Sequence, residues 1–287
     1  MTNLDQFESL FNAAAHDAFG YRPLDVKRVL VVTDLEQDDA QQFLVRCQKL
    51  LSVLDRDVAW SVVHRAQYDD CDQLLDIMGN HQPDLVVSYR NLKSLAYQWP
   101  YSLGVFLNVL IRQVEPPVIV LPHPKLDDRY AWAEINTDRV LVVTDHLTGD
   151  ADLVNWGVRF TEPKGRLYLA HVESDADFDR YMSIIGKLPD IPTDLARAQI
   201  YERLLKDPAG YIDAVQQELT REGLDIDVEP IVKMGHRVSE YKALVEDNSC
   251  DLVVFRTREP GNTEALALHG VAYALALELR RVPLLML

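Results

Sequence analysis

Helices alternating with short buried strands over 287 residues predict an α/β protein built from two tandem, doubly wound parallel-sheet domains. Two observations carry this prediction. The heptapeptide Arg-Val-Leu-Val-Val-Thr-Asp occurs twice, at 28–34 and at 139–145. Behind each copy the apolar residues switch between helical spacing and short β-branched runs without polar alternation, the pattern of strands covered on both faces.

The elements follow in order. Leu4, Phe7, Phe11 and Ala14 have helical spacing and predict a short amphipathic helix within an N-terminal extension, residues 1–25. Residues 29–32 read as a central strand. Over 38–54, Phe43, Leu44, Cys47, Leu50, Leu51 and Leu54 share one helical face, and 58–63 resumes strand character, which completes a βαβ unit. A helix at 71–78, a strand at 85–87, a helix at 103–111 and a strand at 118–121 complete a first domain, residues 26–123. The stretch 122–138 lacks apolar periodicity and holds Pro122 and Pro124, so residues 124–137 read as a linker, with Trp132 as its anchor.

The second domain, residues 138–287, takes the same course. It has a strand at 140–143, a helix at 150–160, a strand at 167–172, a long helical region and a strand at 228–232. A helix at 239–246, a strand at 252–255, a helix carrying Leu268, Val271, Ala272, Leu275 and Leu279, and a strand at 284–287 follow. Further pairings support duplication: Asp84-Leu85-Val86-Val87 with Asp251-Leu252-Val253-Val254, Gly104 with Gly270, and Pro117 with Pro283. Asp34 and Asp145 are 111 positions apart, whereas Asp84 and Asp251 are 167 apart, so the second half is longer by about 56 residues. Since a strand and its crossover helix take roughly 30 residues, this predicts four strands in the first sheet and five in the second. The remainder forms a helical insertion at about 173–207.

Composition narrows the function. A formal charge of −16, with no cluster of Lys and Arg, opposes a nucleic-acid partner. No apolar run approaches the roughly 20 residues that cross a bilayer, and Asp5 and Glu8 stand where a secretory signal is basic, so the expected location is the cytoplasm, without membrane contact. Cys47, Cys71 and Cys250 have no C-x-x-C spacing and read as reduced thiols. The histidines form no H-x-x-x-H or H-E-x-x-H arrangement, so no metal site is expected, and no residue is assigned a catalytic role.

A strand ending in Asp, crossover helices, an Asp-Leu-Val-Val strand, a long helix and a terminal apolar strand after proline together resemble the universal stress protein family in its tandem form. Leu169-Ala170-His171-Val172 looks like that family's second strand, and Gly235 stands where its third strand gives way to a helix. The resemblance implies an adenine-nucleotide-hydrolase-like, flavodoxin-like fold with strand order 3-2-1-4-5 and any ligand outside the carboxyl ends of the strands. It also implies domains paired through their last strands, here 118–121 and 284–287, as an intramolecular pseudo-dimer that can associate further into a homodimer.

In nucleotide-binding members the first-strand aspartate accompanies adenine and ribose. It corresponds here to Asp34 and Asp145, with Thr144 beside the latter and Val172 as the second-strand valine. Asp34 and Asp145 serve equally well as turn formers or helix caps. Phosphates are held by a glycine-rich stretch, G-x2-G-x9-G-S/T, because glycine lets backbone amides approach the oxygens. From Asp251 those glycine positions fall on Arg256, Glu259 and His269, with Gly270 at the hydroxyl position; in the first half the first falls on Tyr89 or Arg90. Bulky side chains in phosphate space argue against ATP, although Arg256, Thr257, Arg258 and His269 can receive another anion.

Three functions fit. The first is a stress-response protein with a binding or regulatory role and no cofactor. The second is a nucleotide- or anion-binding protein, or weak nucleotide hydrolase, that holds ATP or another adenine nucleotide in the second domain around Asp145, Arg256 and His269. The third is an interaction module whose insertion, with Tyr181, Met182, Ile184 and Ile185, covers the crevice or recruits an unknown protein partner.

Overall fold

The structure, a computed structural model, describes residues 19–99, 101–125, 132, 135–144, 150–187, 192–257 and 271–287. The helix expected around Leu4 to Ala14, most of the linker, Asp145, Arg258, Glu259, His269 and Gly270 lie outside the described residues.

In the first half, β1 (Arg28–Val32), α1 (Gln37–Leu50), β2 (Ala59–Val63), α2 (Cys71–His81), β3 (Leu85–Tyr89), α3 (Val105–Gln113) and β4 (Val118–Leu121) alternate as the periodicity requires. The second half comprises β5 (Arg139–Thr144), α4 (Ala151–Phe160), β6 (Arg166–Ser174), α5 (Asp175–Ile185), α6 (Thr193–Arg221) and β7 (Asp227–Gly235). It continues with α7 (Arg237–Asp247), β8 (Leu252–Phe255), α8 (Val271–Glu278) and β9 (Leu284–Met286). Helix α1 buries Ala40, Phe43, Leu44, Cys47 and Leu50, the face its spacing predicts, and an edge-on contact between Phe43 and the buried Trp132 ties the linker to this core.

The four and five strands do not form separate sheets. They join in one nine-stranded sheet of order β2-β1-β3-β4-β9-β8-β5-β6-β7. Read inward from the outer edge toward the seam, the second half has the 3-2-1-4-5 order, and the first half has the same order without its outermost strand. Neighbours are parallel everywhere except at the seam, where β4 runs antiparallel to β9 with Val118 opposite Met286, Ile119 opposite Leu285 and Val120 opposite Leu284. Matching Pro117 with Pro283 makes Ile119 and Leu285 equivalent positions that face each other, the self-complementary pattern of a two-fold axis.

The seam forms because each half ends in a short, wholly apolar strand with an unpaired edge. Pairing the two edges satisfies their backbone groups and buries both faces, and every β4 and β9 side chain is buried. The insertion is larger than its sequence signal: α6 continues through Pro208 to Arg221, and its last turns bury Tyr211, Ile212, Val215 and Leu219. That packing outweighs the backbone hydrogen bond proline cannot make.

Candidate functional site

The crevice of such a sheet lies outside the carboxyl ends of its strands. In the first half this ground is occupied by the chain itself. Asp34 leaves β1 with its carboxylate accepting from the Tyr89 hydroxyl and, at 2.7 Å, from the backbone N–H of Lys93. The Tyr89 oxygen in turn accepts from the Asp34 backbone N–H at 3.0 Å and lies 3.1 Å from the Thr33 hydroxyl, which faces it as donor. Burial and the Asp34 carboxylate push the Tyr89 phenol upward, so it stays protonated and donates.

The loop after β3 turns back through Asn91 and Lys93, both in the left-handed region, which carries the Lys93 amide to Asp34. Gly104 closes this loop at φ +89°, where an added Cβ would meet the Asn91 backbone at 2.7 Å. Lys93 then crosses the Tyr68 ring at 4.3 Å and binds the Tyr68 carbonyl and Asp69. His123, just beyond β4, stacks on Tyr97 with centroids 4.1 Å apart and meets the Tyr89 edge at 5.2 Å. Burial lowers its pKa to about 4, so the ring is neutral at pH 7.

In the second half the arrangement differs. Arg256, just past β8, donates from Nε and Nη2 to the Asp150 carboxylate at 2.7 and 2.6 Å, and Nη2 also approaches Asp152 at 3.4 Å. Asp150 is the N-cap of α4 and accepts from the Leu153 N–H. The bidentate pair therefore locks a strand end to a helix start, and the pairing with Asp150 raises the Arg256 pKa. Arg256, at the expected glycine position, is thus paired with Asp150. The Thr257 hydroxyl and N–H both donate to the Leu287 carbonyl, each at 2.8 Å, and secure the last strand.

Val172 is buried, with both main-chain groups engaged: its N–H donates to the Tyr241 hydroxyl and its carbonyl accepts from Arg237 Nε, each at 3.0 Å. Beside it His171 Nε2 lies 3.2 Å from Glu173, which also faces Arg237 at 3.7 Å, while the buried His171 Nδ1 has no partner among the described residues. The His171 hydrogen bond holds Glu173 below the usual carboxylate range. Thr144 lies in register with His171, which puts this cluster next to the end of β5, beyond which Asp145, outside the described residues, continues the chain.

Of the residues singled out in the sequence, the structure thus groups Thr144 and Val172 at one strand end, engages Arg256 and Thr257 elsewhere, and sets Asp34 in the other half. Tyr89, Tyr68, Lys93 and His123 were missed. Their available signal was a bulky side chain, Tyr89, at a glycine position on the strand next to the one ending in Asp34. Among the described residues no group of three or more His, Cys, Asp or Glu could hold a metal ion, and no helix is long and apolar enough to cross a membrane. The three cysteines are free thiols, and burial pushes Cys250 up to about 12, which suits a small buried apolar residue.

Residues 136–284 match the model of the Universal stress protein family. The fold is similar to that of a functionally unknown protein from Pseudomonas aeruginosa, at 10% identity over 91% of this chain and 92% of that one, with a TM-score of 0.54. It is also similar to a universal stress protein from Archaeoglobus fulgidus, at 12% identity over 91% and 85% of the two chains, with a TM-score of 0.50. No curated protein matches the chain in sequence.

Proposed function

The chain belongs to the universal stress protein family, and from that premise we propose that it is a cytoplasmic stress-response protein acting by binding and regulation rather than by ATP chemistry. One observation carries this reading. The polar groups at the ligand-contacting positions are already satisfied within the chain: the Asp34 carboxylate by Tyr89 and Lys93, the Arg256 guanidinium by Asp150, and the Val172 backbone by Tyr241 and Arg237. A nucleotide entering either crevice has to displace these partly buried hydrogen bonds, each costing about 1 to 3 kcal/mol if left unmade.

The two-fold seam supports an intramolecular pseudo-dimer, whose halves supply each other's partner strand without a second chain. A protein partner is the binding target that best fits the insertion, where Tyr181, Ile184, Leu195 and Tyr201 are large apolar residues left exposed. The test is direct. Gently purified protein, denatured and extracted, is expected to release no adenine nucleotide, and its Tm is expected to stay constant across ATP and AMP titrations. Stoichiometric ATP in the extract, or a saturable rise in Tm, overturns the reading.

A second reading is a nucleotide site confined to the second half. The buried Nδ1 of His171, without a partner among the described residues, favours it, because a ligand in that crevice would supply a hydrogen bond. His171→Phe distinguishes the two, since only this second reading expects it to weaken nucleotide binding.

A further inference from the structure

The two outer edges of the sheet are finished differently. Strand β7 closes one side with features that discourage a further strand. The Asp227 N–H donates to the Gly165 carbonyl, so by alternation Pro230 turns its nitrogen outward, where it offers no donor, and Asp227, Glu229 and Lys233 set charges along the strand. Strand β2 closes the other side with Ala59-Trp60-Ser61-Val62-Val63, which holds neither proline nor charge.

This edge is open because the first half has four strands where the second has five. The counterpart of β2 is β6, which lies between β5 and β7 with Leu167 to Val172 all buried. In β2, by contrast, Ala59 and Ser61 are exposed and Trp60 and Val62 only half-buried. The Ala59 N–H donates to the Lys27 carbonyl at 2.7 Å and the Val63 carbonyl accepts from the Thr33 N–H at 3.0 Å, so the odd-numbered residues bond β1. The N–H and C=O groups of Trp60 and Val62 therefore point outward, and among the described residues no strand meets them.

We propose that the β2 edge pairs antiparallel with the β2 edge of a second copy of this chain, so that the sheet continues across an intermolecular two-fold axis. The strand is self-complementary about Ser61. In the antiparallel register centred there, Trp60 and Val62 sit opposite Val62 and Trp60 of the partner and exchange both hydrogen bonds, with an aromatic side chain against a β-branched one on each side. Charge agrees with the same direction. Asp57 and Arg65 are exposed and each four positions from Ser61, so reversing one copy against the other brings each Asp57 to the partner's Arg65. Arg65 also lies 4.0 Å from Glu36, an exposed pair worth little in water. Two short apolar strands meeting antiparallel at a two-fold is how the molecule already closes its seam, and the second copy repeats that arrangement at the open end. The pairing rests on the β2 edge alone and is independent of what the crevices or the insertion bind.

Sedimentation equilibrium of the full chain over a concentration series tests this. The natural protein is expected to show a reversible monomer–dimer equilibrium. Ser61→Lys, at an exposed position on the axis, sets like charges opposite each other and is expected to raise the dimer dissociation constant about tenfold or more, with circular dichroism and urea midpoint unchanged. Asp57→Arg is expected to weaken the dimer as well, and adding Arg65→Asp to restore it, a rescue that antiparallel pairing of β2 with itself requires. A chain that stays monomeric at millimolar concentration, or a dimer whose dissociation constant is the same in Ser61→Lys, overturns the proposal. So does a different protein that co-purifies with the natural chain and is lost in Ser61→Lys, because the edge then belongs to another occupant.

Discussion

Asp84 and Asp251 make the same bonds in different surroundings. Each precedes the strand beside the first strand of its half, and each accepts from the backbone N–H of the heptapeptide arginine, Arg28 at 2.8 Å and Arg139 at 3.0 Å. Each also pairs with that arginine's guanidinium, at 3.4 and 3.3 Å, and returns its own N–H to the arginine carbonyl at 2.8 Å. Further along, Val86 donates to Pro117 and Val253 to Pro283, both at 3.0 Å. The repeated residues are thus two ends of one repeated set of contacts.

The carboxyl ends of the same strands share none of this. Where the first half has Tyr89 bound to Asp34, the matching position of the second half is Arg256, bound to Asp150. The amino ends hold the sheet together and tolerate one solution twice, while the carboxyl ends border the crevice, where side chains differ without disturbing the strands. Even the shared contact is unequal, since the Asp84 side chain is 31% exposed and that of Asp251 only 5%.

The comparison breaks most visibly at the seam. If the halves were self-sufficient copies, a charge between β4 and β9 would cost little. Ile119→Asp instead puts a carboxylate into a fully buried two-fold contact, with an expected loss of about 4 kcal/mol or more within one cooperative urea transition. Two separate transitions would show that each half folds alone.

A smaller effect comes from His123, which lies in the first-half crevice. Its folded pKa is about 4, against about 6.5 when unfolded, because burial disfavours the charged ring. The unfolded chain therefore binds the proton first as pH falls, so the stabilisation is complete above about pH 6.5 and is lost toward pH 4. Urea midpoints across this window are expected to fall by the equivalent of roughly 2 kcal/mol, and His123→Phe to flatten that portion of the curve. A variant as pH-sensitive as the natural protein would locate the titration elsewhere.

The paired aspartates measure burial directly. Asp251→Ala leaves the Arg139 N–H without its acceptor beside a buried carboxylate position and is expected to cost about 2 kcal/mol, whereas Asp84→Ala, about a third open to water, is expected to cost under about 1 kcal/mol. Equal losses would mean that burial does not separate the two. Last, Tyr89→Phe removes the hydroxyl that links Thr33 to Asp34, for about 1 kcal/mol in thermal unfolding, while Thr257→Val loses a similar amount by freeing Leu287.

Much of the fold was legible because its signals are local. Val29 to Val32 and Leu252 to Phe255 declare two-sided burial by composition alone, and the Phe43, Leu44, Cys47 and Leu50 spacing declares a helix face. Helix α6 was harder, because Pro208 suggests a break and only packing of Tyr211 and Ile212 shows that the helix continues. The site was less legible still. Asp34 could be placed at a strand end, but its contact with Tyr89 spans 55 positions, and that of Arg256 with Asp150 spans 106.

Residue type and local spacing alone set the alternation of elements, the duplication marked by the repeated heptapeptide and the four-against-five strand count. Tertiary structure decided that nine strands form one sheet, that β4 meets β9 antiparallel, and that Asp34 and Arg256 are satisfied from within. Each of these is a pairing between groups distant in sequence, and which donor meets which acceptor is settled only when burial removes water as the alternative partner.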